Sequence, residues 1–593
     1  MAGLISVGGA VRISIRSLFD GAEKSVSFGI PDGTQATWVR WVNDDHILIG
    51  LTALLPIESD KWYVSRVIAL NRANGKITTL LWDQSGQNAA DMVWVPSNGS
   101  NEVLIAAQGT VYSDFEQFWP TVYRVDVSNG KKRVVVKPHS GVMDWSADAT
   151  GAVRTGVGYA DSTRTSRLLY RKDVKSSFRV VDSASYRRDE DLTYPFMFIP
   201  GTDHAYVMRG DDKGKIGIYE YDLLNQREVK LFYAPEQGEV SSPIVSSDGT
   251  SLLGARTNAK KNSVHWFDPK LSELQAQFAK AVPNADVRIE SFNADRSKML
   301  VRVSAADMPG TLYFYDVEVG TLQRVAAINE AIGSKRLAPV KLVQYKARDG
   351  LEIEGVLTLP AGQDPKALPF IVMPHGGPWA HDGLYYDYWA QFLANRGYAV
   401  LQPNFRGSTG YGKAFVDKGK GQLGLAMQDD VTDGVKWAIA QGIADPKRLC
   451  IVGASYGGYA AMWGLVRDPD LYRCAISIAG VASLRKEVND FGDKLRGGLY
   501  RDQWTAMTPD FAAVSPLGAA PRISKPLLLV HGKKDVTVDH DQSTKMYAAM
   551  QKAGKSVEFV SVPLADHYFT RQEDRLTLLS AMETFLAKHN PAN

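Results

Sequence analysis

Arg448-Leu-Cys-Ile-Val-Gly-Ala-Ser-Tyr-Gly-Gly-Tyr-Ala-Ala-Met462 reads as a buried strand, a serine between glycines and the start of a helix. Gly453 and Gly457 bracket Ser455 in a G-x-S-x-G pattern. A strand that turns into a helix within one residue leaves no room for side chains beside the turn, which is why glycines flank it. Such a turn pushes the Ser455 hydroxyl into the open. It also aims the first N–H groups of the following helix, the positive end of its dipole, at the reacting carbonyl. The stretch predicts a nucleophile elbow, with Ser455 as nucleophile and the Tyr456 N–H as one oxyanion donor.

An elbow of this kind predicts an acid and then a histidine later in the chain, each on a loop after a strand, as in α/β-hydrolases. Pro526-Leu-Leu-Leu-Val-His-Gly-Lys-Lys-Asp535 is a short apolar strand running into a turn that ends in Asp535. Val557-Glu-Phe-Val-Ser-Val-Pro-Leu-Ala-Asp-His567 is a further strand whose loop carries His567. In this reading Ser455 attacks, His567 shuttles the proton, and Asp535 fixes the imidazole tautomer. Asp539 and Asp541 compete with Asp535 but suit the start of the next helix as caps. Asp566 adjoins His567 in sequence, where a side chain usually points elsewhere. The second oxyanion donor belongs on an earlier glycine-rich turn, and Pro369-Phe-Ile-Val-Met-Pro-His-Gly-Gly-Pro378 supplies one, with the Gly377 N–H as the candidate.

These signals occupy only the C-terminal part of 593 residues, so another domain fills the first half. Hydrophobic residues make up 45% and charged residues 22%, ordinary for a globular chain, and no apolar run is long enough to suggest a membrane span. A net charge of +3, with no basic cluster interleaved with aromatics, argues against nucleic acid as a partner. No cysteine or histidine spacing reads as a metal site, and no cofactor is implied. The two cysteines, Cys450 and Cys474, lie in apolar strand-like runs and read as small buried hydrophobes; a disulfide is conceivable if their strands are neighbours. Met1-Ala-Gly-Leu-Ile-Ser-Val-Gly-Gly lacks a charged start and a long apolar centre, which places the chain as written in the cytoplasm. A natural start trimmed of an export signal would place it in the periplasm or outside the cell. A homo-oligomer is left open.

The first half repeats. An alternating run, an Asp or Asn, a short turn and a second alternating run recur seven times. The copies are Arg12 to Phe28 around Asp20, Val67 to Leu81 around Asn71, Val122 to Lys137 around Asp126, and Leu168 to Asp182 around Asp173. Ile218 to Phe232 around Asp222, Val264 to Phe278 around Asp268, and Leu312 to Ala326 around Asp316 complete the set. The anchors stand about 46 to 55 residues apart, and further strand pairs lie between copies, so each unit holds four strands, the signature of a β-propeller blade. The first copy is incomplete, since its upstream strands would lie before Met1. The reading is thus an all-β seven-bladed propeller over residues 1–335 and an α/β-hydrolase domain, a mostly parallel sheet with flanking helices, over residues 336–593. The run Lys346 to Pro360 opens the second sheet as a hairpin.

A seven-fold propeller before an α/β-hydrolase resembles the prolyl oligopeptidase family of serine peptidases, over nearly the whole chain. His375-Gly-Gly-Pro378, Asn404-Phe-Arg-Gly-Ser-Thr-Gly-Tyr-Gly412, Asp430 with Asp433, and Gly453-Ala-Ser-Tyr-Gly-Gly458 look like its acylaminoacyl-peptidase and dipeptidyl-peptidase-like branch. The resemblance implies triad roles for Ser455, Asp535 and His567, an oxyanion hole from Gly377 and Tyr456, and a propeller that gates the site and admits short or unstructured peptides. The prolyl endopeptidase branch uses a tyrosine hydroxyl where this chain has His375, which argues against that branch. A dipeptidyl peptidase needs carboxylates for the substrate ammonium. Asp189-Glu-Asp191 is the candidate for them here, although a solvated loop suits the run better. Relatives that hold a substrate carbonyl with an arginine two residues after the catalytic Asp differ from this chain, which has Thr537 there. Arg406 reads as a tie between loops. The expected activity is hydrolysis of short peptides through an acyl-enzyme; the alternative is a small-molecule esterase or amidase on the same triad.

Overall fold

The computed structural model describes residues 1–7, 10–18, 25–57, 60–258, 263–333, 335–492 and 494–592. Among these, seven antiparallel sheets of three or four strands precede an eight-stranded sheet. The chain is a seven-bladed β-propeller followed by an α/β-hydrolase fold. By compactness it divides into one unit of residues 1–209, 217–234 and 242–254, and another of residues 210–216, 235–241 and 255–593.

The anchor residues of the repeat have a common physical role. Asn71, Asp126, Asp173, Asp222 and Asp316 each sit at or just after the end of a strand, and the side-chain oxygen accepts N–H groups of the turn. Asn71 takes those of Ala73 and Asn74, Asp126 that of Ser128, Asp222 those of Leu224 and Asn225, and Asp316 those of Glu318 and Val319. Asp173 does the same for Lys175 and Ser176. Four residues beyond four of these anchors the backbone is left-handed, at Gly75, Gly130, Gln226 and Gly320. The Asx cap and the left-handed residue together close the hairpin, which is why Asp or Asn, and then usually Gly, recur at this spacing.

Two copies depart from the expected pattern. After the strand Ser263–Trp266 the chain forms a helix, Pro269–Ala281, where the repeat predicts a second strand. Asp268 caps that helix through the Leu271 N–H, Pro269 occupies its first turn, and Leu271, Leu274 and Phe278 form its buried face. The i, i+3, i+7 spacing of those three residues outweighs the strand-like alternation. In the first copy, Asp20 lies outside the described residues. Its strands Ala10–Arg16 and Ser25–Phe28 pair antiparallel, and an upstream strand, Ala2–Val7, joins them, so part of what was sought before Met1 lies within the chain.

The eight-stranded sheet contains β1 (Val340–Lys346), β2 (Glu352–Thr358), β3 (Leu368–Val372), β4 (Ala399–Pro403), β5 (Ala444–Ala454), β6 (Cys474–Ile478), β7 (Leu527–Gly532) and β8 (Val557–Val562). Their order is β1-β2-β4-β3-β5-β6-β7-β8. The hairpin β1–β2 and the β2–β4 pair are antiparallel, and every later pair is parallel. A parallel sheet covered on both faces requires continuous apolar strands. Phe370, Val372, Ile451, Leu527 and Leu529 pack toward the helices Ala426–Ala440 and Tyr456–Arg467. Ile371, Val400, Val452, Leu528 and Val530 pack toward the helices Tyr388–Asn395 and Gln572–His589. Cys450 and Cys474 are direct partners on β5 and β6, with Cα atoms 4.9 Å apart, and form a buried disulfide. The strand order reverses beside β3, so the loops leaving β3 and β5 emerge next to each other, where open α/β sheets place their ligands.

Candidate active site

Ser455 joins β5 to the helix Tyr456–Arg467 with φ 58° and ψ −120°. An L-residue there stores on the order of 1–3 kcal/mol of strain, held by the surrounding structure. The Ser455 N–H donates to the Ile478 carbonyl at the end of β6 (2.9 Å), and its own carbonyl accepts the Tyr459 N–H (3.0 Å). The glycines are steric necessities. A Cβ on Gly453 would lie 2.3 Å from the Gly457 carbonyl oxygen, and one on Gly457 would lie 2.2 Å from that of Pro374. Ser455 is half-buried, and its hydroxyl makes no hydrogen bond with a described residue, His567 included.

The loops after β7 and β8 bring Asp535 and His567 together. His567 Nδ1 donates to Asp535 Oδ2 at 2.7 Å, and the Asp535 side chain is fully buried. Asp535 Oδ1 accepts the N–H groups of Thr537 (2.8 Å) and Val538 (2.9 Å). A second histidine completes the set. His531, on β7 and fully buried, places Nε2 at 3.2 Å from Asp535 Oδ2 and 3.0 Å from the Val538 carbonyl, while its Nδ1 lies 2.8 Å from Ser543 Oγ. A carbonyl can only accept, so Nε2 carries the hydrogen and Nδ1 receives the Ser543 hydroxyl. Burial alone would raise the Asp535 pKa. The hydrogen bonds from His531 and His567 outweigh it and hold the carboxyl at about 2.

The competing carboxylates are engaged locally. Asp539 accepts the Asp541 N–H, Asp541 pairs with Lys545 at 3.0 Å, and Asp566 caps Thr570. His531 was missed by the sequence reading, although a histidine inside an otherwise apolar strand, four residues before the acid, was the available signal.

The turn after β3 lies against the elbow at Ser455. A Cβ on Gly376 would stand 3.3 Å from the Ala454 carbonyl oxygen and 3.4 Å from Ser455 Cβ, and Gly377 adopts φ 120°. His375 braces this turn. It stacks on Phe405 with centroids 4.4 Å apart, its Nδ1 faces the Gly376 carbonyl at 2.8 Å, and its Nε2 lies 2.9 Å from Ser408 Oγ. Burial pushes the His375 pKa down to about 4, so the ring is neutral. Phe405 in turn packs on Tyr456, whose side chain is buried behind the elbow.

Arg406 acts as the expected tie. Its guanidinium forks onto the buried Asp430 at 2.8 and 2.7 Å and reaches Asp349, in the β1–β2 turn, at 2.8 Å. Arg348, from the same turn, forks onto Asp433. In the run 189–191, Glu190 is taken by Arg188 at 2.7 and 2.9 Å and by the Ser185 N–H, a local arrangement.

Residues 384–591 match the prolyl oligopeptidase family. The chain is 26% identical to dipeptidyl aminopeptidase BIII of Pseudoxanthomonas mexicana over 98% of its own length and 89% of that protein. It is 28% identical to the acylamino-acid-releasing enzyme of Sus scrofa over 39% of its length and 32% of that enzyme. An acylaminoacyl peptidase of Pyrococcus horikoshii shares the fold, with a TM-score of 0.70 at 18% identity over 100% of this chain and 94% of the other. With an elbow serine, a histidine–carboxylate pair on later loops and these relatives in agreement, the chain resembles the prolyl oligopeptidase family, which its residues 384–591 match, and is a serine peptidase.

Proposed function

We propose that the chain cleaves short or unstructured peptides through an acyl-enzyme formed on Ser455, in the manner of the acylaminoacyl- and dipeptidyl-peptidases it resembles. Ser455 Oγ attacks the scissile carbonyl while His567 Nε2 takes its proton. The oxyanion is received by the N–H groups of Tyr456 and Gly377, and the protonated His567 then hands its proton to the leaving amine. Water repeats the sequence on the ester. Asp535 stays ionised throughout and holds the Nδ1–H tautomer. We assign residues 1–335 to a propeller domain that restricts access and residues 336–593 to the catalytic domain. The 2.7 Å hydrogen bond from His567 to a buried, otherwise fully engaged Asp535 carries this reading.

The test is a fluorophosphonate label, together with matched chromogenic peptides carrying a free or an acetylated N-terminus. Labelling at Ser455, and loss of peptide turnover by several orders of magnitude in Ser455→Ala, are expected. Preference for the free amine would identify a dipeptidyl-peptidase-like enzyme, and preference for the blocked peptide an acylaminoacyl-peptidase-like one. Turnover of activated esters alone would replace the peptidase reading with an esterase one.

A further inference from the structure

A cavity of about 350 Å³ lies among the strand Leu252–Thr257, the helix Pro269–Ala281 and the strand Asp286–Phe292. Arg256 and Arg288 both line it. Among the described residues neither makes a hydrogen bond or a close ion pair, and Arg256 Nε is buried without a partner. A donor desolvated in this way is unfavourable unless something accepts from it. The carboxylate that acts on Arg256 is committed elsewhere. Glu290 pairs with Arg302 at 2.7 Å, and Arg302 stands directly opposite Arg288 on the neighbouring strand. Burial first, and then the charge of Arg288, pull the Arg256 pKa down, with Glu290 opposing them. Asp286, at the exposed start of its strand, is the one carboxylate lining the cavity among the described residues, so the two arginines leave it net positive. Val264, Ala279 and Val287 supply an apolar wall.

The Nε–Nη edge of a guanidinium matches the two oxygens of a planar carboxylate, and a second arginine alongside adds charge that an anion between them relieves. We propose that this cavity binds the free carboxylate of a short peptide, with Arg256 and Arg288 supplying the two guanidinium charges and the apolar wall the adjoining side chain. None of Ser455, Asp535 and His567 lines the cavity, and the proposal holds whether or not Ser455 is the nucleophile.

Binding is measured by calorimetry on full-length Ser455→Ala protein, which removes turnover. The ligands are N-acetyl-alanyl-phenylalanine, its C-terminal amide and inorganic phosphate. The acid is expected to bind about tenfold or more tightly than the amide. That preference should shrink to about twofold or less in Arg256→Gln and in Arg288→Gln, while Arg256→Lys, which keeps the charge but not the fork, should recover only part of it. Melting curves of each variant confirm that the blades are folded. Equal affinity for acid and amide, or a preference that survives both glutamine variants, would overturn the proposal. So would phosphate binding that the peptide acid cannot displace.

Discussion

The loops leaving β5 and β7 each carry one of the side chains proposed for the triad, and they are built on opposite terms. Ser455 sits at a left-handed backbone angle with a hydroxyl that engages no described residue, and its surroundings are packed so closely that two neighbouring positions must be glycine. Asp535 has relaxed surroundings and four donors, two from backbone and two from histidine rings. In the proposed mechanism the group that forms a new bond is the one held by strain and left open, and the group that stays put is the one satisfied on every side.

This contrast can be attacked directly. The largest expected effect is in Asp535→Asn, where an amide would face donors from His567 and His531. Activity should fall about 10⁴-fold as the His567 tautomer is lost, read as kcat/KM on a chromogenic peptide. A residual rate within tenfold of the parent would mean that Asp535 does not orient the base. His531→Phe comes next. Removing one donor to a buried carboxylate should lower stability by about 1–3 kcal/mol in urea denaturation and reduce kcat by about tenfold with little change in KM. A change in KM alone would place His531 in substrate binding instead.

The acid limb of stability follows from the depressed Asp535 pKa. With the folded value held at about 2, below the usual carboxylate range, the ionised form stabilises the fold above about pH 4, and that contribution is lost as pH falls toward 2. The Asp535→Asn variant should therefore show a shallower loss of stability over this window, measured by denaturation at fixed pH steps. Parallel curves would show that other carboxylates dominate. The smallest effect tests the strained side. Ser455→Gly should abolish activity yet raise stability by about 0.5–1 kcal/mol, because glycine adopts φ 58° without penalty. A loss of stability would indicate that the serine side chain contributes packing that outweighs its strain.

The elbow, the chain order of Asp535 and His567, and the hairpin period were legible in the residues. The rest failed at identifiable points. At Asp268 the same Asp that ends a strand elsewhere caps a helix, because Pro269 follows and the apolar residues after it change from a period of two to a period of three and four. His531 looked like part of an apolar strand because its partners, Asp535, Val538 and Ser543, meet it only when the loop after β7 folds back.

Features that depend on neighbouring residues were settled by sequence alone. A strand-to-helix turn needs small flanks, an Asx turn needs its Asp and its left-handed residue, and a buried parallel strand needs an apolar run, all within a few positions. Features that depend on register and loop return were decided only in three dimensions. Cys450 and Cys474 face each other because β5 and β6 align at those two positions, Asp535 rather than Asp566 reaches His567, and Arg256 and Arg288 come to line one cavity. Sequence spacing carries the local backbone requirements, while contacts between distant residues follow from how whole strands slide and stack, which no short stretch encodes.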